Sequence, residues 1–184
     1  IPIILVTHDR EEALALGDQV QVINQGRPLE RGRPLEILGQ PGQGRVARLV
    51  GVENLLQLVV TARYPQDGTM LCDGGGVQLE VPLSNFDEGD AVTVGIRASD
   101  IILAGAEPRG SSARNRLQGL VSRVELRPPG YEVTLDCPGV SLKCHITGRS
   151  LEEMGIAVDQ ELWAVFKASS CFLVGTDLSN GDAE

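Results

Sequence analysis

Apolar and polar positions fall into three patterns along the chain. The first is a continuous apolar run, Ile1 to Val6, the look of a strand buried on both faces of a parallel sheet. It is followed by Arg10 to Leu16 with helical spacing, closed by Gly17, with Asp9 as N-cap and Glu12 reaching back as in a capping box. A further short helix is expected from Arg45 to Val50, after the turn-rich break Gly39-Gln40-Pro41-Gly42-Gln43-Gly44. The second pattern is a series of short alternating runs over 55–63, 69–72, 77–81, 91–96 and 101–103. They are separated by Gln66-Asp67-Gly68, Asp73-Gly74-Gly75-Gly76 and Asp87-Glu88-Gly89-Asp90, and read as strands joined by turns. The triple glycine lies between two strands, so it reads as a hairpin turn, not a phosphate loop. The third pattern repeats the strand spacing over 117–126, 131–137, 140–146, 162–167 and 171–174. Within it a short helix, 151–154, follows Ser150 and stops at Gly155, with Ser150 and Glu153 spaced as a capping box. The fold class expected is mainly β: two OB-like small barrels preceded by an α/β segment. The expected divisions are 1–50, 51–110, 111–176 and an acidic, disordered tail at 177–184.

Composition narrows this picture. The 184 residues are 42% hydrophobic but only 3% aromatic, so the cores must be aliphatic, and Gly (22) and Pro (10) are plentiful enough for many turns. No apolar run reaches the length of a membrane span, so no direct membrane insertion is expected. A net charge of −9 and a pI near 4.7 argue against nucleic-acid binding. The charge is uneven. Residues 1–110 hold nine basic and fifteen acidic side chains, whereas 111–176 hold seven of each, leaving that segment free of the repulsion that would oppose an anion. Cys72, Cys137, Cys144 and Cys171 lack metal-site spacing and read as buried thiols, with one disulfide still open.

The neutral segment carries the candidate chemistry. Ser111-Ser112-Ala113-Arg114-Asn115 groups hydroxyls, a small residue and a guanidinium just before a strand, and donors this close can converge on one anion. Thr147 and Ser150 flank a helix start, and Lys167-Ala168 ends a strand. Singly these residues have plain readings: a turn residue, a helix cap, a surface lysine. Together they form a donor set whose own motifs contain no carboxylate. Such a set suits a fully ionised tetrahedral dianion better than hydrogen phosphate, whose proton needs an acceptor.

Two resemblances attach to these residues. Val6-Thr7-His8-Asp9-Arg10-Glu11-Glu12-Ala13-Leu14, with Gly17-Asp18-Gln19-Val20, Val22-Ile23-Asn24-Gln25-Gly26-Arg27 and Glu30-Arg31-Gly32-Arg33-Pro34-Leu35-Glu36, resembles the switch-histidine segment of ATP-binding-cassette importer ATPases. The resemblance implies two closing strands turning near Gln25-Gly26, a helix after Pro34, and contact of His8 with the γ-phosphate. Gly51-Val52-Glu53-Asn54 and Gly95-Ile96-Arg97 are similar to the segments that open and close the accessory unit of that family. No Walker A loop, signature motif or Walker B acid is present. The chain therefore reads as a carboxy-terminal part of a longer protein, not catalytic by itself, with ATP and Mg²⁺ bound only in the full-length parent.

The second resemblance covers 111–175. Ser112-Ala113-Arg114-Asn115, Ile146-Thr147 with Ser150, and Lys167-Ala168 resemble the molybdate-binding (TOBE/Mop) domain of molbindins and of molybdate importer ATPases. It implies oxyanion contacts from Ser112, Ala113 and Arg114 on one wall, and from Thr147, Ser150, Lys167 and Ala168 on another, at an interface between domains or subunits. Carried together, the resemblances imply the regulatory end of the ATP-binding subunit of a molybdate or tungstate importer. Such a protein would be a homodimer, held by permease subunits at the cytoplasmic face of the inner membrane. The alternatives are a dimerisation domain with an empty pocket in an importer ATPase for sulfate or sugar, and a cytoplasmic molybdate-storage module.

Overall fold

The computed structural model describes residues 2–39, 41 and 44–174. The acidic tail, and part of the break at 39–44, lie outside these. In chain order the elements begin with α1 (Arg10–Leu16), β1 (Val20–Asn24), β2 (Arg27–Gly32), α2 (Pro34–Gly39) and α3 (Gly44–Leu49). A first β series follows: β3 (Asn54–Tyr64), β4 (Thr69–Gly74), β5 (Val77–Pro82), β6 (Ala91–Ile96) and β7 (Ile102–Ala104). The second comprises β8 (Asn115–Arg127), β9 (Gly130–Cys137), β10 (Val140–Ile146), α4 (Gly148–Met154), β11 (Glu161–Phe166) and β12 (Cys171–Val174).

Residues 2–9 are not a strand. Ile3, Ile4 and Val6 are about nine-tenths exposed, and among the described residues no strand pairs with them. An apolar run of this kind needs parallel neighbours to take its ladder bonds and cover both faces, and none stands beside it here. Helix α1 forms as expected, with Asp9 accepting from the Glu11 and Glu12 N–H groups. Glu12, however, closes on the Thr7 hydroxyl at 2.6 Å, and Thr7 in turn caps the Asp9 N–H. The β1–β2 hairpin turns at Gln25-Gly26, both at positive φ, the conformation that matches hairpin twist. Ala13, Leu14, Val20, Val22 and Leu29 close a small core over Ile37, Leu38 and Val46.

The two β series are copies of one plan. The sheets run β5-β4-β3-β6-β12 and β10-β9-β8-β11-β7, all antiparallel. Each long strand bulges at the same distance from its first residue, between Val60 and Ala62 in one and Val121 and Arg123 in the other. A bulge bends the strand so that its first half pairs on one side and its second half on the other, curling each sheet into a half-barrel. The outermost strands are exchanged: β12, from the second repeat, pairs with β6, and β7, from the first, pairs with β11. The sheets are thus drawn across the 110/111 division, and one hydrophobic core, from Leu58 through Phe166, runs through both.

Two asparagines tie the repeats reciprocally. Asn54 donates to the Lys143 carbonyl (2.9 Å) and accepts its N–H (2.7 Å). Asn115 does the same to Glu80, both contacts at 2.8 Å. Each amide stands in for a peptide group, satisfying an edge strand of the opposite repeat. The β4–β5 and β9–β10 turns also meet: a Cβ on Gly139, at φ 80°, would lie 1.3 Å from the Gly75 carbonyl oxygen. The triple glycine is therefore a turn that admits the other repeat's turn. Helix α4 starts earlier than expected. Its N-cap is Thr147, whose hydroxyl accepts the Ser150 N–H (3.1 Å), while Glu153 pairs with Arg149; Ser150 and Glu153 do not form a capping box. The helix ends at Gly155 in the left-handed conformation.

Because Asn115 is buried, Asn115→Ala strands two backbone groups and is expected to cost about 2 kcal/mol. Urea unfolding should remain one transition by both far-ultraviolet circular dichroism and Trp163 fluorescence. Separate transitions for the two repeats would contradict a shared core.

Candidate functional site

The Ser111–Arg114 segment precedes β8 and packs against the first repeat. Ala113 is buried, and its N–H is taken by the Ser111 hydroxyl (3.1 Å). Arg114 reaches across to β5, donating from Nε to Glu80 Oε2 at 3.0 Å. Its side chain is 65% exposed against 20% for Glu80, so the carboxylate is the anchored partner and the guanidinium the one that reaches solvent. The other end of the second repeat arrives at the same place: Lys167 leaves β11, and a 3-10 turn, Ala168–Ser170, leads into the exchanged β12. A cleft of about 360 Å³ results, with Ser112, Arg114, Lys167, Ala168 and Ser169 on one side and Thr69, Glu80 and Pro82 on the other. A larger cleft of about 620 Å³ adjoins it across the Arg114–Glu80 pair. That one adds Asp67 and Tyr64, so its charge is wrong for an anion.

Five of the seven expected oxyanion residues thus meet at or beside one cleft, and two do not. Thr147 and Ser150 follow β10, which pairs with β9 at the Leu126 end of β8, eleven residues along from Asn115. Their hydroxyls bond each other at 3.0 Å. The strand they follow, β10, packs on the 3-10 turn Ala98–Asp100 of the first repeat. Sequence reading missed Glu80 and Thr69. The alternation of β5 marks Glu80 as outward-facing, but only the pairing of Asn115 with its backbone puts it against Arg114.

The first-repeat counterpart has a different charge pattern. Glu53 precedes Asn54 as Arg114 precedes Asn115, and Arg97-Ala98 occupies the place of Lys167-Ala168. Glu53 Oε2 accepts the Ala98 N–H at 2.9 Å, and Oε1 lies 3.9 Å from His145 Nδ1. Arg97 is turned away, donating to the carbonyls of Leu38 and Gly39 at the end of α2. Burial, and next the Arg10 charge, pull its guanidinium below the usual value, opposed by Asp100 and Glu53.

Behind Glu53, His145 Nε2 lies 3.3 Å from the buried Glu132, which also faces Lys143 (3.3 Å) and Arg127 (3.9 Å). Burial alone would raise the Glu132 carboxyl. Its hydrogen bonds from His145 and Lys143, with the Lys143 and Arg127 charges, outweigh that and hold it below the ordinary carboxylate value. All four cysteines are free and buried. Burial pushes Cys72 and Cys137 up to about 11, and Cys144 and Cys171 up to about 12, leaving them protonated and unreactive near neutrality. His8 is exposed at the bend before α1, and among the described residues it faces no partner.

Residues 111–173 match the TOBE domain family. The chain is 37% identical over 165 residues to the molybdate/tungstate import ATP-binding protein WtpC of Pyrococcus abyssi, covering 90% of this chain and 45% of that one. It is 29% identical over 171 residues to the molybdenum import ATP-binding protein ModC of Rhizobium etli, covering 91% and 47%. The chain therefore spans less than half the length of these relatives. Among solved structures, the cytoplasmic molybdate-binding protein ModG with molybdate bound superposes with a TM-score of 0.58 at 25% identity, covering 66% of this chain and 95% of that one. The chain is thus similar to the TOBE domain family over residues 111–173, and over about nine-tenths of its length to part of molybdate/tungstate import ATP-binding proteins.

The depressed Glu132 carboxyl adds stability that is present above the unfolded-state value and lost as pH falls through the folded one. Glu132→Gln, which leaves Lys143 and Arg127 without their buried counter-charge, should cost about 1–2 kcal/mol at neutral pH. The gap to the unmutated protein should begin to close as pH falls below about 4, where the unfolded carboxyl protonates, and should vanish only at lower pH, where the folded carboxyl protonates as well. Urea midpoints at neutral and acid pH measure this.

Proposed function

We propose, from the premise that this chain carries a TOBE domain and aligns with molybdate/tungstate import ATP-binding proteins, that it is the oxyanion-sensing part of such a subunit. The observation that carries the reading is the convergence of Arg114 and Lys167, from opposite ends of the second repeat, on one cleft with the Ser112 and Ser169 hydroxyls and Ala168. Lys167 makes no ion pair among the described residues, and Arg114 spends only Nε on Glu80, leaving its terminal nitrogens to receive an oxyanion. Two cations against one carboxylate leave the cleft net positive, and the hydroxyls add donors that suit molybdate or tungstate as dianions. Glu80 has two opposed effects: it orients the guanidinium and repels the ligand.

The cleft forms between the two repeats of a single chain. In the whole subunit the β body would pair with that of a second ATP-binding subunit, next to permease partners at the inner face of the membrane. There His8 would sit toward the γ-phosphate of ATP bound with Mg²⁺ by the rest of the protein. Regulation follows if the oxyanion favours one arrangement of the paired subunits. The bias on transport then equals its differential affinity for the two arrangements.

Calorimetric titration tests the binding. Molybdate should bind the chain, sulfate should bind more weakly, and Arg114→Ala/Lys167→Ala should abolish the heat. Glu80→Gln should tighten molybdate about tenfold by removing a like charge beside the ligand. Absence of heat and of thermal stabilisation by molybdate would leave the β body as a pairing module without a ligand.

A further inference from the structure

The duplicated plan repeats the frame around Arg114 in the first repeat, and there the Glu53 side chain occupies it. In the second repeat the residue before the asparagine is a cation, Arg114. In the first it is Glu53, and a Glu53 carboxylate oxygen accepts the Ala98 N–H at 2.9 Å. Ala98 corresponds through the strand register to Ala168, the backbone proposed to face the ligand in the second repeat. We infer that the first repeat retains an oxyanion position held shut by Glu53, so that each chain takes one tetrahedral dianion where its fold provides for two.

The surroundings fit this assignment, which rests on the reading of the Arg114 cleft as an oxyanion site. His145 stands 3.9 Å from the other Glu53 oxygen, and β10, which leads to the Thr147 and Ser150 hydroxyls, packs beside Ala98. Lys143 and Arg127 face Glu132, which also holds His145. A carboxylate held on the backbone N–H both uses the donor and repels a dianion. The Arg97 side chain, in the place of Lys167, is committed to the end of α2, and among the described residues it makes no ion pair with Glu53. The position has thereby become a joint: Arg97 holds the helical segment and Glu53 fixes the turn after β6.

Sodium molybdate titrated calorimetrically into the whole chain tests this by stoichiometry. The unmutated protein should take one equivalent, Glu53→Ala two, Arg114→Ala none, and Glu53→Ala/Arg114→Ala one. Glu53→Gln keeps an acceptor for the Ala98 N–H while removing the charge, so it preserves the turn should the alanine variant fail to fold. It too should gain an equivalent, with weaker affinity. The inference is overturned if folded Glu53→Ala or Glu53→Gln, matching the parent in circular dichroism, gains no equivalent. It is equally overturned if the unmutated chain already takes two. Should the unmutated chain take none, the reading of the Arg114 cleft fails by itself, and an equivalent gained by Glu53→Ala still decides for the closed site.

Discussion

The structure depends on a single constraint: neither repeat can complete its own sheet. Each half-barrel ends at β6 or β11 with an open edge, and open edges expose unpaired backbone groups to solvent or to other chains. The exchange of β7 and β12 fills both edges with strands from the opposite repeat. Asn54 and Asn115 then bond the backbones of Lys143 and Glu80, the midpoints of the edge strands at the far side of each sheet. Residues far apart in the chain are held in register by these contacts, and the common core between the sheets is a consequence of that register.

The geometry of the Arg114 cleft follows from the same exchange. A strand that crosses to the other repeat must turn just before it crosses, and those turns carry Lys167-Ala168 and Arg97-Ala98. The segment that leads into each long strand ends at the asparagine that grips the opposite edge, so the residue before it, Arg114 or Glu53, is pinned against the other repeat. Two equivalent frames result, differing in charge. Arg114 is balanced by Glu80 across the repeat boundary and keeps donors for a ligand. Glu53 bonds the adjacent backbone and faces His145, so that frame is satisfied from within. The frames share their backbone plan, and side-chain charge alone makes them chemically unlike.

The helical segment is coupled to the β body at the satisfied frame. Arg97 ends on the carbonyls at the terminus of α2, where a helix presents unpaired acceptors and the negative end of its dipole. Ala47 and Val52 pack on Phe172 and Val174 of the exchanged β12. Phe172 lies over Gly95, where a Cβ would come within 2.3 Å of its ring, so the absence of a side chain there seats the exchanged strand. The strand next to the Lys167 turn is therefore also the strand that α3 leans on. This gives a continuous packed path from the Arg114 cleft to the helical segment.

Strand positions, turns and most helix limits were legible in the chain because alternation, Gly-rich turns and caps are local properties. The runs over 77–81, 91–96, 131–137 and 140–146 become β5, β6, β9 and β10 within a residue of their reading. The hydroxyl and cation motifs were legible too, as residue types in a pattern. Two errors arose where a local pattern lacked its context. The apolar run Ile3 to Val6 has the composition of a buried strand but no sheet beside it, and the Ser150–Glu153 spacing gave way to Thr147, whose backbone left the helix first. Tertiary structure alone decided which motifs meet. The pairing of β8, β9 and β10 separates Thr147 and Ser150 from Arg114, the grip of Asn115 on β5 sets Glu80 against that arginine, and the pairing of β3 with β6 turns Glu53 onto Ala98. The contacts that bring Glu80 and Arg114 together are made across the two repeats, between residues whose spacing along the chain has no period to read. They are fixed by edge strands seeking partners, which is a property of the assembled sheets and not of any one segment.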